Sequence, residues 1–332
     1  MPASSSARGK KRILSGVQPS GMAHLGNYFG AMQNHVEMQD KFESFIFIAD
    51  LHSLTTVKDP AKLRELTTSL AADYLALGLN PEKTVFFRQS DIKEHTELTW
   101  ILSCVTPVSM LEQAHAYKDA VAKGVKDASA GLLIYPVLMA VDILIYKPDL
   151  VPVGKDQKQH VEISRDIAGK FNRHYGEVFR LPDPYIPEDL GYIIGTDGEK
   201  MSKSYGNVIE IFADEKTIKN QVMGIVTDST PLESPKDPLK DNVFRIFSYF
   251  ASDEEKNSLA EKYRAGGFGY GEAKKLLLGK ILDRFRPQRE KRKELSGNID
   301  YVRSVLKKGA EKARETASET MREVREKVGL NL

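Results

Sequence analysis

Residues 12–27 read Arg-Ile-Leu-Ser-Gly-Val-Gln-Pro-Ser-Gly-Met-Ala-His-Leu-Gly-Asn, passing from strand to helix through a glycine-containing turn. Arg12–Ser15 is a short apolar strand and Gly16–Gly21 is turn-rich. Leu25, Tyr28, Met32 and Val36 then recur at helical spacing as far as about Asp40. A loop of this form outside the carboxyl end of a parallel strand meets a phosphate with unpaired helix N–H groups. Gly26 lacks a Cβ, so a nucleotide can lie against the backbone there. His24 can donate to a phosphate oxygen, and Asn27 adds a neutral donor. Taken alone, Gly26 and Gly30 read equally well as close-packing positions on the helix.

Outward from this segment, strand and helix signals alternate. Phe45–Ala49 is a continuous apolar run suited to a buried parallel strand. Asp59 to Leu77 reads as a helix opened by Asp-Pro and closed by Gly78, and Thr84–Arg88 as a strand. Ala130–Tyr146 is a largely apolar helix, Val151–Val153 a short strand, and Asp156 to His174 a helix ending before Gly176. Alternation of this kind specifies an α/β fold, a parallel sheet with helices on both faces. After about Tyr205 the strand signals fade. Glu215–Met223, Asp241–Phe250, Glu254–Tyr263 and Glu272–Arg286 read as helices, with Pro231, Pro235 and Pro238 marking a loop. A closing helix over 299–328 is set by Ile299, Val302, Leu306, Ala310, Ala313, Ala317, Val324 and Val328. The order is an α/β nucleotide-binding domain over 12–207, a helical domain over 208–298, then the closing helix.

Composition narrows the chemistry. Cys104 is the only cysteine among 332 residues, which excludes an intrachain disulfide and a cysteine-clustered zinc site and fits a reducing compartment, the cytoplasm. The longest apolar stretch, Ala130 to Tyr146, is too short to span a bilayer and contains Asp142. Residues 1–11, Ser-rich and basic, read as a disordered tail. Net charge is +2, but Ala273 to Leu332 holds 17 Lys and Arg against 9 Asp and Glu, so that this block carries +8 and the rest −6. Such a block suits a phosphate-rich partner as well as it suits a solvated helix surface.

Two further segments carry chemistry. Val153-Gly154-Lys155-Asp156-Gln157-Lys158-Gln159-His160 again leaves a strand and enters a helix. A carboxylate there can accept from ribose hydroxyls, and Asp156 can equally cap its own helix. His160 reads as structural. Gly195-Thr196-Asp197-Gly198-Glu199-Lys200-Met201-Ser202-Lys203-Ser204-Tyr205-Gly206 sets two lysines and two serines between glycines. Lysine is a flexible point charge suited to phosphate, and GxxxxGK[ST] is absent, so this is no P-loop. Tyr135, Met139 and Asp142, spaced i, i+4, i+7, share one helix face. Asp142 is a charge in an apolar helix and needs a partner, an Arg, a backbone N–H or a ligand.

These segments, in this order, resemble the signatures of class I aminoacyl-tRNA synthetases. Ser15–Asn27 is similar to the HIGH signature, and Lys200–Ser204 is the KMSKS loop. Gln18-Pro19-Ser20-Gly21, the run Leu133–Leu144 and Val151–His160 resemble the bacterial tryptophanyl family, over nearly the whole chain from Arg12 onward. The tyrosyl family is the alternative, and beyond it a synthetase-like paralogue that binds tRNA or a partner without charging. A small nucleotidyltransferase with an HxGH-like site would need neither the KMSKS loop nor the helical domain. Two departures stand out: Lys155 where the family usually has an acid, and Leu14 where it has Phe.

The resemblance implies a Rossmann-like parallel-sheet domain with an inserted α-helical, anticodon-binding domain, acting as a homodimer. It implies activation of L-tryptophan with ATP and Mg²⁺, then transfer to tRNA(Trp), with no structural metal. Gln18, Pro19, Ser20, His24, Gly26, Asn27 and Lys155 would hold ATP, and Gly154 and Asp156 its ribose. Ile193 lies where the family contacts adenine, and Lys200, Met201, Ser202, Lys203 and Ser204 would close on the phosphates. Tryptophan would meet Tyr135, Met139, Asp142, Val151, Val153 and Gln157. An indole N–H is a donor only, so a carboxylate acceptor suits it, whereas phenylalanine would leave Asp142 buried and unpaired. The substrate carboxylate is already ionised at neutral pH, so positioning and charge stabilisation replace a general base. Lys274, Lys275, Arg284, Arg286, Arg289, Arg292 and Lys293 are candidate tRNA phosphate contacts, with Phe268, Tyr270 and Phe285 as candidate stacking residues.

Overall fold

The computed structural model of the chain describes residues 9–114, 117–118, 128–154, 158–186 and 193–331. Lys155, Asp156 and Gln157, singled out in the sequence, lie outside the described residues.

Five parallel strands form one sheet: β1 (Arg12–Val17), β2 (Glu43–Ile48), β3 (Thr84–Arg88), β4 (Leu150–Pro152) and β5 (Asp183–Tyr185), in the order β3-β2-β1-β4-β5. Successive side chains of β2 alternate between two cores, Ile46 and Ile48 entering one and Phe45 and Phe47 the other. Helix 25–38 (α1) follows β1, with a π turn at Tyr28–Met32. Then come α2 (Asp50–Ser53), α3 (Pro60–Ala76), α4 (Glu94–Ser103), α5 (Val108–Glu112), α6 (Ala130–Leu144) and α7 (Lys158–Tyr175). Asp59 caps α3 by accepting from the N–H groups of Ala61 and Lys62, with Pro60 at the first helical position.

Beyond the sheet lie α8 (Glu215–Met223), α9 (Asn242–Phe247), α10 (Asp253–Ala265), α11 (Tyr270–Gly297) and α12 (Ile299–Val328). The core beneath α3 continues without a break into this helical region, through Ile209, Val243, Tyr263, Leu277 and Phe285. The closing helix α12 returns to lie on β3. Gly309 makes that approach possible, because a Cβ there would sit 1.8 Å from the Phe86 carbonyl oxygen.

The sequence pattern and the structure differ in three places. The short elements α2, α5 and β5 carry no period long enough to read, α4 is an element the sequence reading omits although Leu98, Ile101 and Leu102 recur at helical spacing, and Pro184 suits β5 to a sheet margin. Helix α11 runs through Pro287 to Gly297 instead of ending at Arg286. An interior proline costs roughly 3 kcal/mol, and the buried side chains Phe285 and Leu295 on either side of it offset that. Phe285, a candidate base-stacking residue, is fully buried core.

Candidate active site

The strand order reverses between β1 and β4, so the crevice at their carboxyl ends is the topological switch point where open α/β sheets hold ligands. A cavity of about 230 Å³ lies there. Leu14, Ser15 and Gly16 of β1 line it, with Gln18 beyond, and Val151, Pro152 and Val153 face them from β4. Tyr135, Met139, Asp142 and Ile143 form the α6 wall, with Phe47, His52, His160 and Val161 completing the lining. Gly16 has its own reason: a Cβ would strike the Phe47 ring at 2.3 Å.

Asp142 is buried and well partnered. Gln89 Nε2 and His95 Nδ1 donate to its Oδ1 at 2.7 and 2.6 Å, and His52 Nε2 donates to Oδ2 at 2.7 Å. Burial pushes its carboxyl up, but the charge and hydrogen bonds of His52 and His95 outweigh this and hold it below the usual carboxylate range. His95 Nε2 in turn meets the Tyr146 hydroxyl at 2.7 Å. Tyr135 packs edge-on against the His52 ring at 4.4 Å. Among the described residues, three donors thus occupy a carboxylate with about four acceptor directions. This corrects the expectation that phenylalanine would leave Asp142 buried and unpaired: its partners are His52, Gln89 and His95. An apolar ligand would leave one direction on Oδ2 unfilled, a weaker rejection than an unpaired carboxylate.

The turn between β1 and α1 is built by reciprocal capping. His24 Nδ1 accepts from the Asn27 N–H, and Asn27 Oδ1 accepts from the His24 N–H. Burial, and then the nearby Lys203 charge, lower His24 to about 4, so its imidazole is neutral at pH 7. With Nδ1 accepting, the proton sits on Nε2, which makes His24 a neutral donor. The 195–206 loop closes onto this turn. Gly195 N–H donates to Glu199 O in a tight hairpin, and Met201 Sδ accepts from Gly26 N–H at 3.2 Å. Ile193 accepts from Met201 N–H, Asn207 Oδ1 accepts from Ser202 N–H, and the Ser202 and Ser204 hydroxyls are 2.8 Å apart. Lys203 Nζ donates to Ser20 O at 3.2 Å, beneath Gly21, whose φ of +114° needs glycine. Burial lowers the Lys203 ammonium, partly opposed by Asp73 and Glu210. Lys200 is exposed at the mouth of the loop.

The structure therefore brings Gln18, Tyr135, Met139, Asp142, Val151 and Val153 to one cavity. It brings Ser20, His24, Gly26, Asn27, Met201 and Lys203 to the adjoining turn. Pro19 is buried within that turn, and Gly154 ends the described part of the β4 exit. The sequence reading missed His52, Gln89 and His95. A signal was available for the first two, since both follow carboxyl ends of parallel strands, β2 and β3. Four of the candidate phosphate contacts on α11 are engaged within the protein. Arg284 Nη2 donates to the Tyr28 hydroxyl, Lys274 Nζ to Met223 O, Arg289 Nη1 to Ile211 O and Ala213 O, and Arg292 Nε to Asp73. Lys275 and Lys293 are exposed.

Comparison with known proteins agrees with this geometry. Residues 6–286 match the family model described as tRNA synthetases class I (W and Y). The tryptophan–tRNA ligase of Fusobacterium nucleatum is 56% identical over 96% of this chain and 98% of its own length. That of Rhodopirellula baltica is 50% identical over 96% of this chain and 99% of its own. The crystal structure of tryptophanyl-tRNA synthetase from Campylobacter jejuni, complexed with ADP and tryptophan, superposes with a TM-score of 0.91 at 49% identity, over 96% of this chain and 99% of that one.

Proposed function

The chain belongs to the tryptophan and tyrosine family of class I tRNA synthetases, and from that premise we propose that it activates L-tryptophan with ATP and transfers it to tRNA(Trp). The carrying observation is Asp142, an ionised acceptor with one direction left unfilled by its three donors, on the wall of the cavity at the switch point. That direction accepts the indole N–H, with Met139, Val151, Val153 and Tyr135 around the ring and Gln157 as a further tryptophan contact. The tryptophan carboxylate attacks the α-phosphorus of ATP. A carboxylate–phosphorus bond forms, the bond to the bridging oxygen breaks, and pyrophosphate leaves. In the second step a terminal ribose hydroxyl of the tRNA attacks the adenylate carbonyl and AMP leaves.

His24 Nε2–H, the Gly26 backbone and Asn27 hold the phosphates as neutral donors, and Gln18, Pro19 and Ser20 shape the turn. Gly154 and Asp156 hold the ribose, Lys155 is a further ATP contact, and Ile193 holds the adenine. Lys200 and Lys203 meet the charge that develops on pyrophosphate, with Met201, Ser202 and Ser204 carrying the loop that delivers them. Among the described residues no group of three or more His, Cys, Asp or Glu could hold a metal. Mg²⁺ bound to the ATP phosphates would add further charge neutralisation. The helical region 208–298 takes the anticodon side of the tRNA, with Lys275 and Lys293 as exposed cations, and the protein acts as a cytoplasmic homodimer. No described helix is long and apolar enough to cross a membrane.

Tryptophan-dependent pyrophosphate exchange tests the reading. The unaltered protein should exchange with tryptophan and not with tyrosine. Lys200→Ala and Lys203→Ala should each lower single-turnover adenylate formation by about 10²–10³ while tryptophan still binds. No exchange with tryptophan would refute the assignment, and wild-type rates in both variants would remove the loop from the chemistry.

A further inference from the structure

The turn that carries His24 is held on both sides, and both supports lead to one helix. On one side the Ala23 N–H donates to Asp73 Oδ2 at 3.0 Å. Asp73 is fully buried on α3, and its Oδ1 accepts from Arg292 Nε at 2.5 Å, while Arg292 Nη2 reaches Ser69 Oγ at 2.9 Å. On the other side the Ala23 carbonyl accepts from Ile211 N–H at 2.9 Å, and Leu25 N–H donates to Ile209 O at 3.0 Å. The Ile211 and Ala213 carbonyls in turn accept from Arg289 Nη1 at 2.8 and 2.7 Å. Arg289 and Arg292 lie three residues apart, on one face of α11.

We propose that Arg289 and Arg292 are positioning residues for ATP: through two arms, Arg292–Asp73–Ala23 and Arg289–Ile211–Ala23, α11 of the helical region sets where His24 stands. Neither arginine touches the cavity. Arg292 supplies the charge that balances the buried Asp73 carboxylate, and Arg289 donates to two backbone carbonyls, so neither arm can slacken without cost. A displacement of α11 is passed to Ala23 from both sides at once. The helical region, assigned above to the tRNA, thereby gains a rigid route to the ATP turn, and the inference rests on that synthetase reading.

Arg289→Lys and Arg292→Lys keep the charge and remove the fork that reaches two acceptors. Pyrophosphate exchange with each should show kcat/KM for ATP lowered by about tenfold to 10²-fold, the scale of an ångström misplacement. The tryptophan KM should stay at the wild-type value, and both variants should still fold, with a lowered Tm. The double variant should fall short of the product of the single effects, because both arms hold the same turn. Wild-type ATP parameters in both folded variants would overturn the proposal. So would ATP and tryptophan constants worsening together, or effects that simply multiply. If Arg292→Lys fails to fold, Ser69→Ala removes only the Nη2 contact and should show a smaller loss in kcat/KM for ATP alone; no loss would overturn the proposal. A wild-type protein inactive with tryptophan would instead refute the synthetase reading itself.

Discussion

At the scale of single residues, the site works by protonation states set by burial and neighbours. Asp142 stays ionised because His52 and His95 together outweigh its desolvation. His24 stays neutral because it is buried and sits near Lys203. One group is thus a charged acceptor and the other a neutral donor, the pair an indole N–H and a phosphate oxygen require. Asp142→Ala should raise the tryptophan KM in pyrophosphate exchange by the worth of a hydrogen bond to a charged acceptor, about 1.5–3 kcal/mol, with the ATP KM unmoved. Part of any loss would come from His52 and His95, whose donors would lose their acceptor. Asp142→Asn keeps an acceptor and should fall between the two. An unchanged tryptophan KM in Asp142→Ala would take this residue out of the pocket. Spacing alone put Tyr135, Met139 and Asp142 on one helix face, and the structure has all three lining the cavity. His52, Gln89 and His95 were not legible as its partners, because they come from segments 47 to 90 positions away in the chain.

At the scale of elements, most of the α/β alternation could be read, because each long element has its own period and caps. α8 and α12 begin and end where the pattern puts them, at Glu215–Met223 and Ile299–Val328. What the pattern could not supply was why one glycine interrupts the small-residue face of α12. Gly309 lies against the β3 backbone, where a methyl group would meet the Phe86 carbonyl oxygen at 1.8 Å. Gly309→Ala should gain roughly 1 kcal/mol of helix propensity, but α12 must then lift from β3. Overpacking costs of about 1–3 kcal/mol should outweigh the gain. The expected result is a lower Tm in thermal unfolding; an equal or higher Tm would mean that the helix can shift freely over the strand. The basic face of α11 gives the complementary lesson. Its charge pattern is that of a solvated or phosphate-binding helix, yet Arg284, Arg289 and Arg292 turn to the hydroxyl of Tyr28, the carbonyls of Ile211 and Ala213, and Asp73.

At the scale of the whole molecule, the helical region is no separate body, since its core is continuous with one face of the sheet. Stability should therefore respond as a unit to groups buried in either part. His24 and His35 are both lowered to about 4, His35 by burial alone, beside the Tyr74 hydroxyl at 2.8 Å. Their ordinary value is about 6.5. Between the two values the unfolded chain binds protons that the folded chain does not, so stability falls as pH drops from about 6.5 toward 4. Urea midpoints should decline over that window, and His35→Gln should flatten the decline; an equally steep decline in the variant would show that His35 does not contribute. By itself the sequence determined the α/β class, the strand–turn–helix that carries His24, the Lys200–Ser204 loop and the shared face of Tyr135, Met139 and Asp142, because each is written in contiguous residues or one helical period. Only the tertiary structure decided that Asp142 is triply hydrogen-bonded and that Arg289 and Arg292 of α11 pair with the carbonyls of Ile211 and Ala213 and with Asp73. Those outcomes depend on which distant polar groups folding buries together, and the requirement that a buried charge find partners is met through space, beyond what any local pattern encodes.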